Sequence, residues 1–220
     1  MDATDAEATR SLKAWGRVRN WLAMNLPEGQ ALLAPGATDD AIQRLQSIIG
    51  VSLPTAWVAL LKENNGQLED DDPGLLGGWV FLSTEAIARE WKSWEAVRTK
   101  ASPSLLYNAS YTSEPPSAIE EVYTSAGWIP LAKEPMEGNY VGLDFDPGPA
   151  GHVGQVINFG RDEDQKSVLV PGSVDLLEWL ADCYESGEIV ISREDGGLTL
   201  TCSHERLSTA LMQAAAHRKR

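Results

Sequence analysis

The sequence predicts an α+β fold: a bent, mostly antiparallel sheet with helices packed on one face, and extra helices at both ends. Three observations predict it. Segments with helical apolar spacing come first, strand-like segments follow in a row, and helical spacing returns after them. The connections "EPMEG" and "PGPAG" between successive strands are short turns, so antiparallel pairing is the simplest topology. No internal repeat or low-complexity tract interrupts this order.

Residues 8–25 carry Leu12, Trp15, Val18 and Leu22 at helical spacing, with Trp21 widening the stripe. "LPEGQALLAPGA" reads as an irregular connection. Thr38 is a good N-cap for a second helix, with Asp39 and Asp40 in its positive first turn and Ile42, Leu45, Ile48 and Ile49 on its apolar face. Pro54 suits the first turn of a third helix through Trp57, Leu60 and Leu61. Asn65 or Gly66 can end it in a left-handed conformation.

An acidic loop follows, then the short strand "GWVFLS". Ser83 or Thr84 caps a fourth helix with Ile87, Trp91, Trp94 and Val97 on its stripe. Residues 101–122, with "SEPPS", read as a long surface insertion. "GWIPLAK", "NYVGLDFD" and "GHVGQVINFG" are successive strands, and "KSVLVPG" adds a shorter one. Ser173 is the expected cap of a helix bearing Val174, Leu177, Leu180 and Tyr184. "EIVISREDGGLTLT" is a hairpin with "EDGG" as its turn, and Ser203 is the expected cap of a last helix through Leu207, Leu211 and Ala214. The basic "HRKR" favours the negative end of that helix. Of the eight tryptophans, most read as core, and Trp21 and Trp94 are the two that could instead be exposed interface anchors.

At 220 residues and 43% hydrophobic, the chain can bury a sizeable core. No apolar run approaches the roughly 20 residues of a membrane helix, and the acidic start "MDATDAEATR" is not a secretory signal. The net charge of −14 argues against nucleic acid and anionic membranes and favours a basic partner. Cys183 and Cys202 are expected as reduced thiols in a cytoplasmic protein.

"LPTAWVALLKENNGQ", "LLGGWVFLSTEAIAREW", "GWIPLAKEPMEGNYVGLDFDPGPAGHVGQVINFG" and "VDLLEWLADCYESG", in this order, resemble the Smi/Knr domain of the SUKH superfamily. The resemblance covers roughly residues 40–186 and is most specific in "WIPLA … NYVGLDFDPG … GQVI". The expected core domain is residues 36–187; a helical extension over 1–35 and a hairpin-and-helix extension of the same globule over 188–220 lie outside the resemblance. The resemblance implies a non-catalytic binding protein. Bacterial members are immunity proteins that neutralise a toxin delivered between cells, often a nuclease; fungal members are regulatory scaffolds.

Asp144 and Asp146 fall on one strand face, but Pro147 and Gly148 follow instead of further oxygen donors. The four read as a fold-signature turn, with Asp146 making an Asx-turn. Gly148, Gly151 and Gly154 lack the Lys-Ser/Thr and helix of a phosphate loop. His152, His204 and His217 with the two cysteines lack the spacings of a zinc site, and His152 has no evident partner. No catalytic residue, metal or cofactor is therefore expected. Glu69, Asp70, Asp71 and Asp72, with Asp162, Glu163 and Asp164, form two acidic runs. They read either as solvated loops or as a surface complementary to a cationic toxin. The leading expectation is a cytoplasmic immunity protein of a polymorphic toxin system in interbacterial competition, partnered by its cognate toxin. The alternative is a regulatory or scaffold module of the same fold.

Overall fold

A computed structural model describes residues 3–68, 73–135, 138–193, 197–202 and 207–218. The acidic run Glu69–Asp72, most of the "EDGG" turn and the expected cap Ser203 lie outside the described residues.

The chain opens with α1 (Ala3–Asn25), the short α2 (Pro27–Ala31), α3 (Asp39–Ile49) and α4 (Thr55–Glu63). α1 buries Ala14, Trp15, Val18 and Leu22, while Leu12 is 40% exposed, so the buried stripe is rotated from the expected one. Ser11 completes it: its hydroxyl donates to Ala56 O at 2.8 Å. α2 falls where an irregular connection was expected, with a proline in its first turn. Thr38 caps α3 by accepting from Ala41 N at 3.2 Å, and Gly50 ends the helix left-handed at φ 75°.

The strand β1 (Val80–Phe81) leads into α5 (Thr84–Lys100). Ser83, not Thr84, is its cap and accepts from Ala86 N at 3.1 Å. α6 (Pro103–Leu106) and β2 (Thr112–Glu114) then form inside the expected surface insertion. After them come β3 (Trp128–Lys133), β4 (Asn139–Asp144), β5 (Gln155–Gly160) and β6 (Gln165–Val170). α7 (Ser173–Ser186), with Gly172 rather than Ser173 at its N-cap, precedes the hairpin β7 (Ile189–Ser192) and β8 (Thr199–Cys202), and α8 (Leu207–Arg218) follows.

The main sheet has the order β1-β3-β4-β5-β6-β2. Every pairing is antiparallel except β2 with β6, which is parallel. Register shifts between Pro130 and Ala132 and between Val156 and Ile157 are the bulges that bend it. Gly142 in β4 is required by close approach: a Cβ there would lie 2.1 Å from Ile129 O. β3, β4 and β5 are buried at every position but Lys133, so both faces of the sheet's centre are covered. α5 packs on β3, α7 on β5 and β6, and α1 on α4 and α7.

The insertion expected over 101–122 is no mere surface excursion. Tyr111, Ser113, Ala118 and Ile119 are buried, because β2 extends the sheet beside β6. Among the described residues no helix is long and apolar enough to cross a membrane. Trp21 and Trp94 are partly buried against the core rather than free anchors. Trp21 packs edge-on against Tyr184 at 4.9 Å, and Trp94 against Tyr123 at 5.6 Å.

Candidate functional site

The turn between β4 and β5 holds Asp144, Asp146, Pro147 and Gly148. Asp144 is the last residue of β4 and is fully buried. Its Oδ1 accepts from Asp146 N at 2.9 Å and its Oδ2 from Gln155 Nε2 at 2.8 Å. The Asx contact therefore belongs to Asp144, not to Asp146 as expected. Burial raises the Asp144 carboxyl to about 6, against the opposing hydrogen bonds from Gln155 and the Asp146 backbone. Both oxygens of Asp144 are thus committed to hydrogen bonds within this turn.

The turn is clamped from outside by the 101–122 segment. Gly148 N donates to Ala118 O at 3.2 Å, Ala150 N to Ser117 O at 2.9 Å, and Gln155 Nε2 to Ala118 O at 2.8 Å. Ser117 O comes so close that a Cβ on Gly148 would sit 2.4 Å from it. His152, expected without a partner, has Nε2 2.8 Å from Pro171 O, where the Nε2–H tautomer donates.

Asp146 points the other way, outward. Its Oδ2 accepts from Ser125 Oγ at 2.6 Å, and Ser125 Oγ accepts from Gly127 N at 3.0 Å. Behind Ser125 stands Arg98, from the last turn of α5. Its guanidinium lies over Trp91 at 5.1 Å, and Nη1 donates to Thr124 Oγ1 and Ser125 O, each at 3.3 Å. Trp91 Nε1 donates to Ala126 O at 2.9 Å. The 124–126 strap is thus nailed to α5, and a cleft of about 410 Å³ opens beside it. The carboxylates of Glu120 and Asp146, the cation of Arg98, and the apolar Leu106, Val122 and 70% exposed Tyr107 line the cleft.

The second acidic run is divided. Asp162 is 53% exposed beside Arg161. Glu163 Oε2 accepts from Asn158 Nδ2 at 2.6 Å, and Asp164 O accepts from Thr112 N at 3.1 Å. The Glu163 carboxylate is thus used within the β5–β6 turn, while Asp164 contributes its backbone carbonyl to the entry of β2 and stays exposed. A second groove of about 400 Å³ between α3 and α5 has Leu45, Ile48 and Ala88 on its floor and the basic Arg44, Arg89 and Lys92 at its edge.

The SMI1 / KNR4 family (SUKH-1) matches residues 36–179. The chain belongs to this family. Its SMI1 / KNR4 relatives include the "Cell wall biosynthesis/cell cycle regulator smi1" of Schizosaccharomyces pombe, 32% identical over 216 residues, covering 94% of this chain and 43% of that protein. The "Glucan synthesis regulatory protein" of Neurospora crassa is 27% identical over 217 residues, covering 85% of this chain and 41% of the relative. The "Cell wall assembly regulator SMI1" of Saccharomyces cerevisiae is 27% identical over 209 residues, covering 81% and 41% respectively. The chain thus spans less than half the length of these relatives.

These relatives overturn the immunity reading. They are fungal proteins named as regulators of cell-wall and glucan synthesis, not bacterial toxin antagonists, so the cognate toxin and the setting of interbacterial competition fall with it. The physical reason lies in what carried the resemblance. Asp144, Gly142, Gly148 and Gln155 shape a strand–turn–strand, and a SUKH fold needs that turn whichever partner it serves.

Proposed function

We propose that this chain is a non-catalytic protein-interaction module that regulates cell-wall synthesis, and that it holds a partner segment in the cleft beside the β4–β5 turn. The observation carrying the function is the naming of its relatives as cell-wall regulators over 81% to 94% of the chain. The cleft is favoured because two carboxylates and an exposed aromatic line it. A segment with a basic residue next to an apolar one fits that lining, and the net charge of −14 speeds its approach. Cys183 and Cys202, both buried and neither in a disulfide, favour a reducing, cytoplasmic location.

The test is a chimera. This chain replaces the matching portion of the Schizosaccharomyces pombe regulator, and growth is scored under a glucan-synthesis inhibitor. The chimera is expected to restore growth to the level of the intact regulator. A chimera that is present at normal abundance and fails to restore growth overturns the regulatory reading. Tyr107→Ala with Glu120→Lys in the same chimera is expected to abolish rescue without lowering the melting temperature. Rescue that survives both changes removes the cleft as the docking site.

A further inference from the structure

Cys183 lies in the last turn of α7, Glu188 just beyond its end, and Cys202 at the end of β8. Their two sulfur atoms and a carboxylate oxygen all fall within 4.8 Å of one another. Two separate pieces of backbone geometry bring this about. Gly187 ends α7 left-handed at φ 82°, and Glu188 N then donates to Cys183 O at 3.1 Å, folding Glu188 back over the helix end. Cys183 Sγ donates to Glu188 Oε2 at 3.4 Å. In the β7–β8 ladder Cys202 stands opposite Ile189, the residue next to Glu188. The helix cap and the hairpin register thus converge on one point.

We propose that Cys183, Glu188 and Cys202 form a binding site for one thiophilic divalent cation of the zinc class, with water as the fourth ligand. Two sulfurs and one carboxylate oxygen are a ligand set that a borderline-soft ion accepts and a hard ion such as magnesium does not. Metal–ligand bonds of about 2.3 Å to sulfur and about 2.0–2.2 Å to oxygen place tetrahedral neighbours a little under 4 Å apart. The present spacing therefore needs only small side-chain rotations. Both cysteines are buried, at 2% and 0% exposure, while Glu188 is exposed, so the ion enters past the carboxylate and is shielded behind by the core.

The shared hydrogen bond with Cys202, and then burial, push the Cys183 thiol well above its usual range. Binding accordingly displaces thiol protons to solvent as the two metal–sulfur bonds form. The site lies beyond the 36–179 stretch matched by the family, and it ties the C-terminal hairpin to α7.

The experiment uses the full chain, reduced with a phosphine, stripped with a chelator and titrated with Zn²⁺ alone against a chromogenic competitor. Cd²⁺ is then used to read the ultraviolet thiolate-to-metal band. One ion per chain, a band from two thiolates and a raised melting temperature are expected. Cys202→Ser should reduce the band to that of a single thiolate at most. Glu188→Gln, which keeps both thiols and the fold, should weaken binding by no less than the roughly tenfold typical of losing an outer-shell partner. No saturable binding by the reduced chain overturns the site. So does binding that persists in the Cys183→Ser, Cys202→Ser double variant, or a Glu188→Gln affinity equal to the parent's.

Discussion

Lys166 sits in β6 with its side chain fully buried, and its Nζ has no hydrogen-bond partner. What faces it is aromatic: the ring of Tyr111 at 4.4 Å and that of Trp128 at 5.8 Å. Burial lowers the lysine to about 8, against the attraction of Asp164 and then Glu163. The unfolded chain, with lysine near 10.5, binds the proton more tightly than the folded one. Stability therefore rises between about pH 8 and 10.5, and the full cost of the buried charge is present below 8. Lys166→Met should stabilise the protein by about 1–3 kcal/mol at pH 7, as replacing buried charge by apolar volume often does. The gain should shrink towards pH 10.5, and denaturant unfolding of both proteins across this range checks it. A gain that does not vary with pH would refute the buried-charge account. Nothing near Lys166 in the sequence announced this: "KSVLVPG" reads as a strand, and its partner Tyr111 lies in a segment expected to be a surface insertion.

Among the elements, those with dense apolar spacing and a cap were legible at their starts and stops. α3 and α5 follow the apolar period and end at Gly50 and Ala101. The choice between Ser83 and Thr84 as cap was open in sequence, because both hydroxyls can accept from a first-turn N–H. The structure chooses Ser83, whose Oγ reaches Ala86 N, while Thr84 donates to Glu85 Oε2 at 2.8 Å. Ser83→Ala should therefore cost about 1 kcal/mol in denaturant unfolding. A loss below a few tenths would show that the cap is redundant. β2 was not legible. It is three residues long, pairs parallel with residues 53 positions further on, and shows only one inward residue, Ser113. So short a strand carries no periodic signal of its own.

At the scale of the whole molecule, the N-terminal extension is part of the core. Exposed ion pairs join α1 to α7: Arg10 with Glu178 at 2.7 Å, and Arg17 with Asp182 at 2.7 Å and Glu185 at 2.5 Å. Such surface pairs contribute no more than about 1 kcal/mol each. The attachment rests on Trp15, Val18, Leu22 and Leu26, all with no exposure. Their burial is worth on the order of 6–12 kcal/mol, which rivals the roughly 5–15 kcal/mol of a whole domain. A chain beginning at residue 36 should lose its cooperative thermal transition and bind a hydrophobic dye. A sharp melt in that truncated chain would show that residues 36–187 fold alone.

The sequence by itself determined the fold class, the order of the main helices and strands, and the family, because periodicity, caps and turn residues act between near neighbours in the chain. Even the turn at Asp144–Gly148 was visible as a turn. What only the tertiary structure decided are the coincidences between distant residues. Arg98 and Asp146 frame one cleft, Lys166 rests on Tyr111, and Cys183, Glu188 and Cys202 converge although the cysteine spacing suggested no metal site. Each depends on the path the chain takes through a bent sheet and past its helix ends, and local spacing does not record that path.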